Sequence, residues 1–330
     1  MHTGCQIGLF ALSLINELSL HMLVEAVQID EIRLHFDRDN LFLLNFILAF
    51  LMYGIALNLT IEDFRNLIRQ PRKAVAGVLS QWVIMPLLTY ILVLVMQPSP
   101  SIALGMFLLA ACPGGNMSNY LSSIARGNVA LSVTLTAAST VLCIFMTPIN
   151  FTLYGSLYGP TRELMHEISV EPGELFQAVF IILGVPLVLG MLTARFLPRF
   201  TAIIHKPVRW LSLIIFISFI VFAFLANYAI FLEVIGIIFI LVLLHNGLGL
   251  AAGYTVASVF RMDFADKKCL SIETGIHNAA LGLILIFSFF SGLGGMAVVA
   301  GWWGIWDLVS GFALAGFWWW RHERKAASVS

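Results

Sequence analysis

Glu273 stands in the run Leu270-Ser271-Ile272-Glu273-Thr274-Gly275-Ile276-His277-Asn278, and the residues from Ala279 to Phe290 are almost wholly apolar. A carboxylate, an imidazole and an amide within six residues, around a glycine, do not help a helix to span a bilayer. Ionisable groups at membrane depth are costly and are usually kept for a task such as binding an ion or relaying a proton. A second polar run, Ala111-Cys112-Pro113-Gly114-Gly115-Asn116-Met117-Ser118-Asn119, interrupts another apolar stretch. Pro113 removes a backbone donor there, and Gly114-Gly115 unwind easily. After the turn Ala125-Arg126-Gly127-Asn128, Ser132 and Thr136 are four residues apart and share one helical face. With Ser118, Asn119 and Glu273 they offer hydroxyl, amide and carboxylate oxygens and one negative charge. That set suits a hard monovalent cation, and the carbonyls freed by an unwound helix would add further oxygen ligands. Alone, Ser132 and Thr136 read as back-bonding to their own helix; Glu273 and the two interruptions reverse that reading. Gln81, mid-span, is either glue between helices or a ligand. His277 can hydrogen-bond a neighbour, hold substrate or carry a proton. Asp307, in Trp306-Asp307-Leu308, is a further acid at membrane depth, while no lysine or arginine falls in the middle of any span.

The elements that must hold these residues are read from composition. The chain of 330 residues is 60% hydrophobic and 11% charged, with a mean hydropathy of +0.93, far more apolar than a soluble domain. A span needs about 20 apolar residues. Such runs lie near 41–60, 74–97, 101–123, 128–154, 174–194, 210–230, 232–259, 269–290 and 294–320, which predicts an all-α polytopic membrane protein of nine spans. Basic residues alternate with these spans: Arg65, Arg69, Arg72 and Lys73; Arg126; Arg195, Arg199, Lys206 and Arg209; Arg261, Lys267 and Lys268; Arg321, Arg324 and Lys325. All fall on one side if nine spans alternate. By the positive-inside rule that side is cytoplasmic, so the chain is expected in the cell (inner or plasma) membrane with its C-terminus in the cytoplasm. The formal net charge of zero does not decide on a nucleic-acid partner, and none is expected; the lipid bilayer is the expected partner. Cys5, Cys112, Cys143 and Cys269 show no metal-ligand spacing and receive no role.

Residues 1–40 form a separate N-terminal segment. Ile7 to Val27 is apolar, but Glu17, His21 and Glu25 put a polar stripe on one face, which fits an interfacial amphipathic helix. Residues 41–320 are the expected membrane domain, and 321–330 a cytoplasmic tail. The second half, from about 174, reads as five spans with the break in the fourth. The first half, to about 155, gives the same order only if residues 7–27 cross as a tenth span. Paired interruptions in corresponding positions point to a secondary transporter built from inverted repeats.

At these residues the chain resembles the bile acid–sodium symporter family. The matching stretches are Cys112 to Asn119, Ala125 to Thr136, His245-Asn246-Gly247 and Glu273 to Asn278, with Gln81 to Pro86 as a looser fit. The resemblance covers residues 41 to 320. It implies a panel and a core subdomain, with two broken helices crossing in the core near Asn119 and Asn278. It implies two sodium sites: a first from Ser118, Asn119, Ser132, Thr136 and Glu273, and a second from Gln81, Glu273, His277 and carbonyls at Thr274 and Ile276. Where the family pattern has glutamine, this chain has His277; where relatives often carry His-Asn, it has Asp307-Leu308. Asn119, Asn278, Asp307 and Leu308 are the expected substrate contacts. The substrate implied is a small or amphipathic organic anion, bile-acid-like or a carboxylate or sulfonate, co-transported with Na+. No organic cofactor is expected.

The sequence thus supports a sodium-coupled symporter that moves the anion inward by alternating access. A variant couples wholly or partly to protons through His277 and Asp307. An intramembrane enzyme using Glu273, Asp307 and His277 is remote, because no HExxH or GxSxG motif occurs. A sensor that binds the ion without transport is a fourth reading.

Overall fold

The computed structural model describes residues 41–57, 59–168, 172–226, 228–290 and 292–327. The reading of residues 7–27 as an interfacial helix or tenth span lies outside them. The described residues are helical almost throughout. They form α1 (Leu41–Ala56), α2 (Ile61–Arg69), α3 (Pro71–Leu79), α4 (Met85–Met96), α5 (Pro100–Ala110) and α6 (Asn116–Ile124). These are followed by α7 (Val129–Leu157), α8 (Gly159–Glu167), α9 (Pro172–Val179), α10 (Val185–Phe196) and α11 (Pro198–Ala226). The chain ends with α12 (Tyr228–Val259), α13 (Phe264–Gly275), α14 (Ala279–Phe289) and α15 (Gly294–Ala327). Among the described residues, Pro71–Met96, Val129–Leu157, Ile238–Val259 and Gly294–Arg324 are long and apolar enough to cross a membrane.

The shorter apolar helices have a local cause. α5 and α6 are the halves of one interrupted element, as are α13 and α14, with breaks at Ala111–Gly115 and Ile276–Asn278. Each second half opens on a polar residue. Asn128 likewise caps α7, its Oδ1 accepting from Leu131 N at 3.0 Å, and Asn278 caps α14, accepting from Leu281 N at 3.1 Å.

α3 runs into α4 through a π-helical turn, Ser80–Ile84, and α9 into α10 through another, Phe180–Gly184. Each comes just before a proline, Pro86 and Pro186. A proline cannot donate to the carbonyl four residues back, so the turn widens there. The orphaned carbonyl of Trp82 is taken by Asn150 Nδ2 from α7 at 3.0 Å.

Two boundaries differ from the sequence reading. The basic stretch expected as a loop between 194 and 210 is helical from Pro198 onward, with Pro207 inside the helix. The expected tail is likewise helical to Ala327. Both are charged turns continuing an apolar helix, which a search for apolar runs alone misses.

Candidate functional site

The two breaks meet. Gly115 N donates to Ile276 O at 3.3 Å and Asn278 N donates to Pro113 O at 2.9 Å, which makes an antiparallel bridge between Gly114 and His277. Backbone groups freed by one break are therefore satisfied by the other, as burial away from water demands. Ala111 O, which has lost its helical partner, accepts from the Thr147 hydroxyl at 2.5 Å. Glycine at 114 leaves room for the carboxylate, since a Cβ there would lie 2.8 Å from Glu273 Oε2 and 3.1 Å from Glu273 O.

Glu273 is fully buried at this crossing. Its Oε1 lies 2.5 Å from Ser118 Oγ, 2.5 Å from Ser132 Oγ and 3.0 Å from Thr136 Oγ1. Thr136 Oγ1 is also 3.2 Å from Oε2 and 3.2 Å from Asn119 Oδ1. All five residues of the first expected set are thus brought together from α6, α7 and α13. The alternative, that the α7 hydroxyls only back-bond, holds for their neighbours: Thr134 donates to Ala130 O, and Ser139 and Thr140 donate to Thr136 O. Ser132 and Thr136 turn to Glu273 instead. Thr136 has one hydroxyl hydrogen and three acceptors in reach, and Ser118 has one for Glu273 and for Gly115 O at 2.7 Å. The cluster holds more lone pairs than hydrogens. Among the described residues no basic side chain pairs with Glu273, so the group presents one negative charge ringed by neutral oxygens, an arrangement that favours a cation.

The second expected set is only partly assembled. Ser80 Oγ and Thr274 Oγ1 are 2.8 Å apart, which ties the π turn carrying Gln81 to the second break. Gln81 is buried, and its Nε2 has no hydrogen-bond partner among the described residues. The Ile276 carbonyl is committed to Gly115 N. His277 is buried, its Nδ1 has no hydrogen-bond partner among the described residues, and its ring meets the Trp303 ring edge-on at 5.5 Å. His245 lies on the same tryptophan at 4.5 Å, with Nε2 2.6 Å from Thr89 Oγ1.

The expected substrate contacts separate into two kinds. Asn119 and Asn278 are partly exposed beside the crossing, and Leu308 is exposed. Asp307, expected beside the substrate cavity, is only 4% exposed and has both oxygens engaged at the second break. Oδ2 accepts from His277 N at 3.0 Å, and Oδ1 accepts from Asn246 Nδ2 at 3.2 Å.

A brace missed by the sequence reading fixes the other end of α13. Lys268 Nζ donates to Ala125 O at 2.5 Å and Arg126 O at 2.7 Å, so a charge counted as a loop residue is buried on the carbonyls that immediately follow α6. Asp266 accepts from Asn128 Nδ2 at 2.7 Å and pairs with Lys73 Nζ at 2.7 Å. The charges were legible, but their partners, from Lys73 to Asp266, are far apart in sequence.

Comparison with known proteins places the chain among transporters. Residues 45–234 match the profile described as the Sodium Bile acid symporter family. The chain is 32% identical over 280 residues to the sodium-dependent transporter YocS of Bacillus subtilis, covering 85% of this chain and 84% of that protein. It is 32% identical over 250 residues to the probable sodium/metabolite cotransporter BASS2 of Oryza sativa, covering 74% of this chain and 56% of the other. Similarity extends to the human P3 protein at 25% over 232 residues, covering 68% of this chain and 46% of that one. The chain therefore spans about half the length of these plant and human relatives. YocS and BASS2 are named as transporters rather than enzymes, and the profile covers more than half of this chain: it belongs to the sodium bile acid symporter family.

Proposed function

We propose that the protein is a sodium-coupled secondary active symporter that imports an organic anion by alternating access. The anion is bile-acid-like or a small carboxylate or sulfonate, and the protein lies in the cell membrane with its C-terminus cytoplasmic, in nine spans or ten. The observation that carries this reading is the buried Glu273 carboxylate held among Ser118, Ser132, Thr136 and Asn119, with surplus lone pairs and no basic partner among the described residues. Sodium bound there neutralises Glu273 and satisfies those lone pairs. A second sodium site would draw on Gln81, Thr274, Ile276 and His277 beside the same carboxylate.

Anion binding follows from the same arrangement. α6 and α14 both begin at the crossing, so the positive ends of two helices converge on it. While Glu273 is unneutralised, its charge opposes an anion; once sodium is bound, the helix ends dominate. Asn119 and Asn278 then supply amide contacts, with Leu308 as an apolar contact. The affinity of the anion thus depends on the ion, which is the free-energy coupling that symport requires. The panel and core exchange access around this site.

The test is Glu273→Gln, which keeps the shape and removes the charge. In proteoliposomes the variant is expected to show no 22Na+ binding and no sodium-driven uptake; normal uptake would overturn the ion-site assignment. The solute is sought by thermal shift in NaCl against KCl, with bile acids, small carboxylates and sulfonates as probes.

A further inference from the structure

We infer that Asn246 and Asp307 are positioning residues that hold the second break open and so keep the main-chain oxygen of Glu273 free for the cation. The inference rests on the sodium reading above. In an uninterrupted helix His277 N would bond Glu273 O, Asn278 N would bond Thr274 O, and Gly275 O would receive the N–H of Ala279. Here each of those bonds is diverted. His277 N donates to Asp307 Oδ2 at 3.0 Å, Asn278 N to Pro113 O at 2.9 Å, and Ala279 N to His277 O at 3.1 Å. Gly275 O is taken by Asn246 Nδ2 at 2.9 Å, and the same amide donates to Asp307 Oδ1 at 3.2 Å.

Asn246 and Asp307 therefore form one closed clasp across a single residue, from Gly275 O to His277 N. Ile276, inside it, is held extended at φ −103° and ψ 105°. Both hydrogens of the Asn246 amide and both oxygens of Asp307 are used. Both side chains are buried, at 1% and 4% exposure, which leaves them no access to solute. The consequence lies on the carbonyls. The N–H groups that would have reached Glu273 O and Thr274 O are engaged elsewhere, and Glu273 O lies on the carboxylate's side of the crossing, where a Cβ on Gly114 would stand 3.1 Å from it and 2.8 Å from Oε2. A clasp that takes the 277 N–H away from Glu273 O keeps that oxygen free as a ligand. The role of Asp307 is thus set by its two acceptor oxygens rather than by substrate contact.

The experiment uses the full chain in detergent and reads the half-saturating sodium concentration by 22Na+ binding and by thermal shift. Asp307→Leu and Asn246→Leu are expected to raise it about tenfold or more, the usual cost of removing a group that orients a metal ligand. Asp307→Asn retains an acceptor for His277 N–H and is expected to raise it less than about threefold, because hydrogen bonds of this kind contribute modestly. The double leucine variant is expected to be no worse than Asp307→Leu, since the two residues act as one unit. Should the leucine variants fail to fold, Asp307→Ser and Asn246→Ser replace them with the same outcomes. The inference is overturned if folded leucine or serine variants bind sodium as the wild type does, or if Asp307→Asn is as damaging as Asp307→Leu. A wild-type protein without saturable sodium binding fails the sodium reading itself, which separates the two.

Discussion

At Glu273 one carboxylate shares three hydroxyls, so each hydroxyl is open to a separate test. Ser132→Ala removes the oxygen 2.5 Å from Oε1. We expect half-saturating sodium to rise about tenfold, or about 1.4 kcal/mol, near the low end for a bond to a charged group. Thr134→Ala, whose hydroxyl only back-bonds to Ala130 O, is the matched control and should leave sodium binding unchanged. Gly114→Ala acts differently. Its added Cβ would stand 2.8 Å from Glu273 Oε2 and displace the carboxylate, so folded protein should appear with its sodium-dependent thermal shift lost. A retained shift would mean that the carboxylate has room that the structure does not give it. The serine and threonine pair was legible because four-residue spacing fixes a shared helical face. Glu273 was legible because a lone acid in an apolar run is costly. Asp307 was visible for the same reason, but its partners were not. Its oxygens engage residues 30 and 61 positions away, and no local pattern encodes that.

Among the helices, Pro86 and Asn150 form a pair that can be separated by mutation. Proline leaves Trp82 O without its helical donor, and Asn150 Nδ2 replaces that donor at 3.0 Å. Asn150→Leu should therefore cost about 1–3 kcal/mol in denaturant or thermal stability, the penalty of a buried carbonyl left unpaired. Restoring an N–H with Pro86→Ala should recover part of that loss, so the double variant should be less destabilised than the two changes summed. Strict additivity would show that Trp82 O finds another partner. The sequence marked the first break through Pro113-Gly114-Gly115, which favour unwinding, and the second through the polar run Glu273 to Asn278 around a glycine. It did not mark the π turns, because Ser80–Ile84 and Phe180–Gly184 keep helical composition. Nor did it show that Thr147 covers Ala111 O, because a threonine inside an apolar helix has many uses.

Across the whole molecule, the proposed ion ligands come from both halves of the chain: Ser118, Asn119, Ser132 and Thr136 from the first, and Glu273 from the second. A gradient experiment tests what this arrangement is for. In liposomes a sodium gradient alone should drive uptake and a pH gradient alone should not; the reverse result would transfer coupling to protons and to His277 and Asp307. The all-helical class was legible from hydropathy, whereas the helical continuation through Pro198 to Ala226 was hidden by its charged first turns. The bridge between Gly114 and His277 has a further consequence. Each half leaves one main-chain N–H, that of Gly115 or of Asn278, to be satisfied by the other, so a fragment ending before Pro172 and one starting there should each be degraded when made alone. Produced together in one cell they should complement, and recovery of sodium binding would then report reassembly of the crossing from two polypeptides.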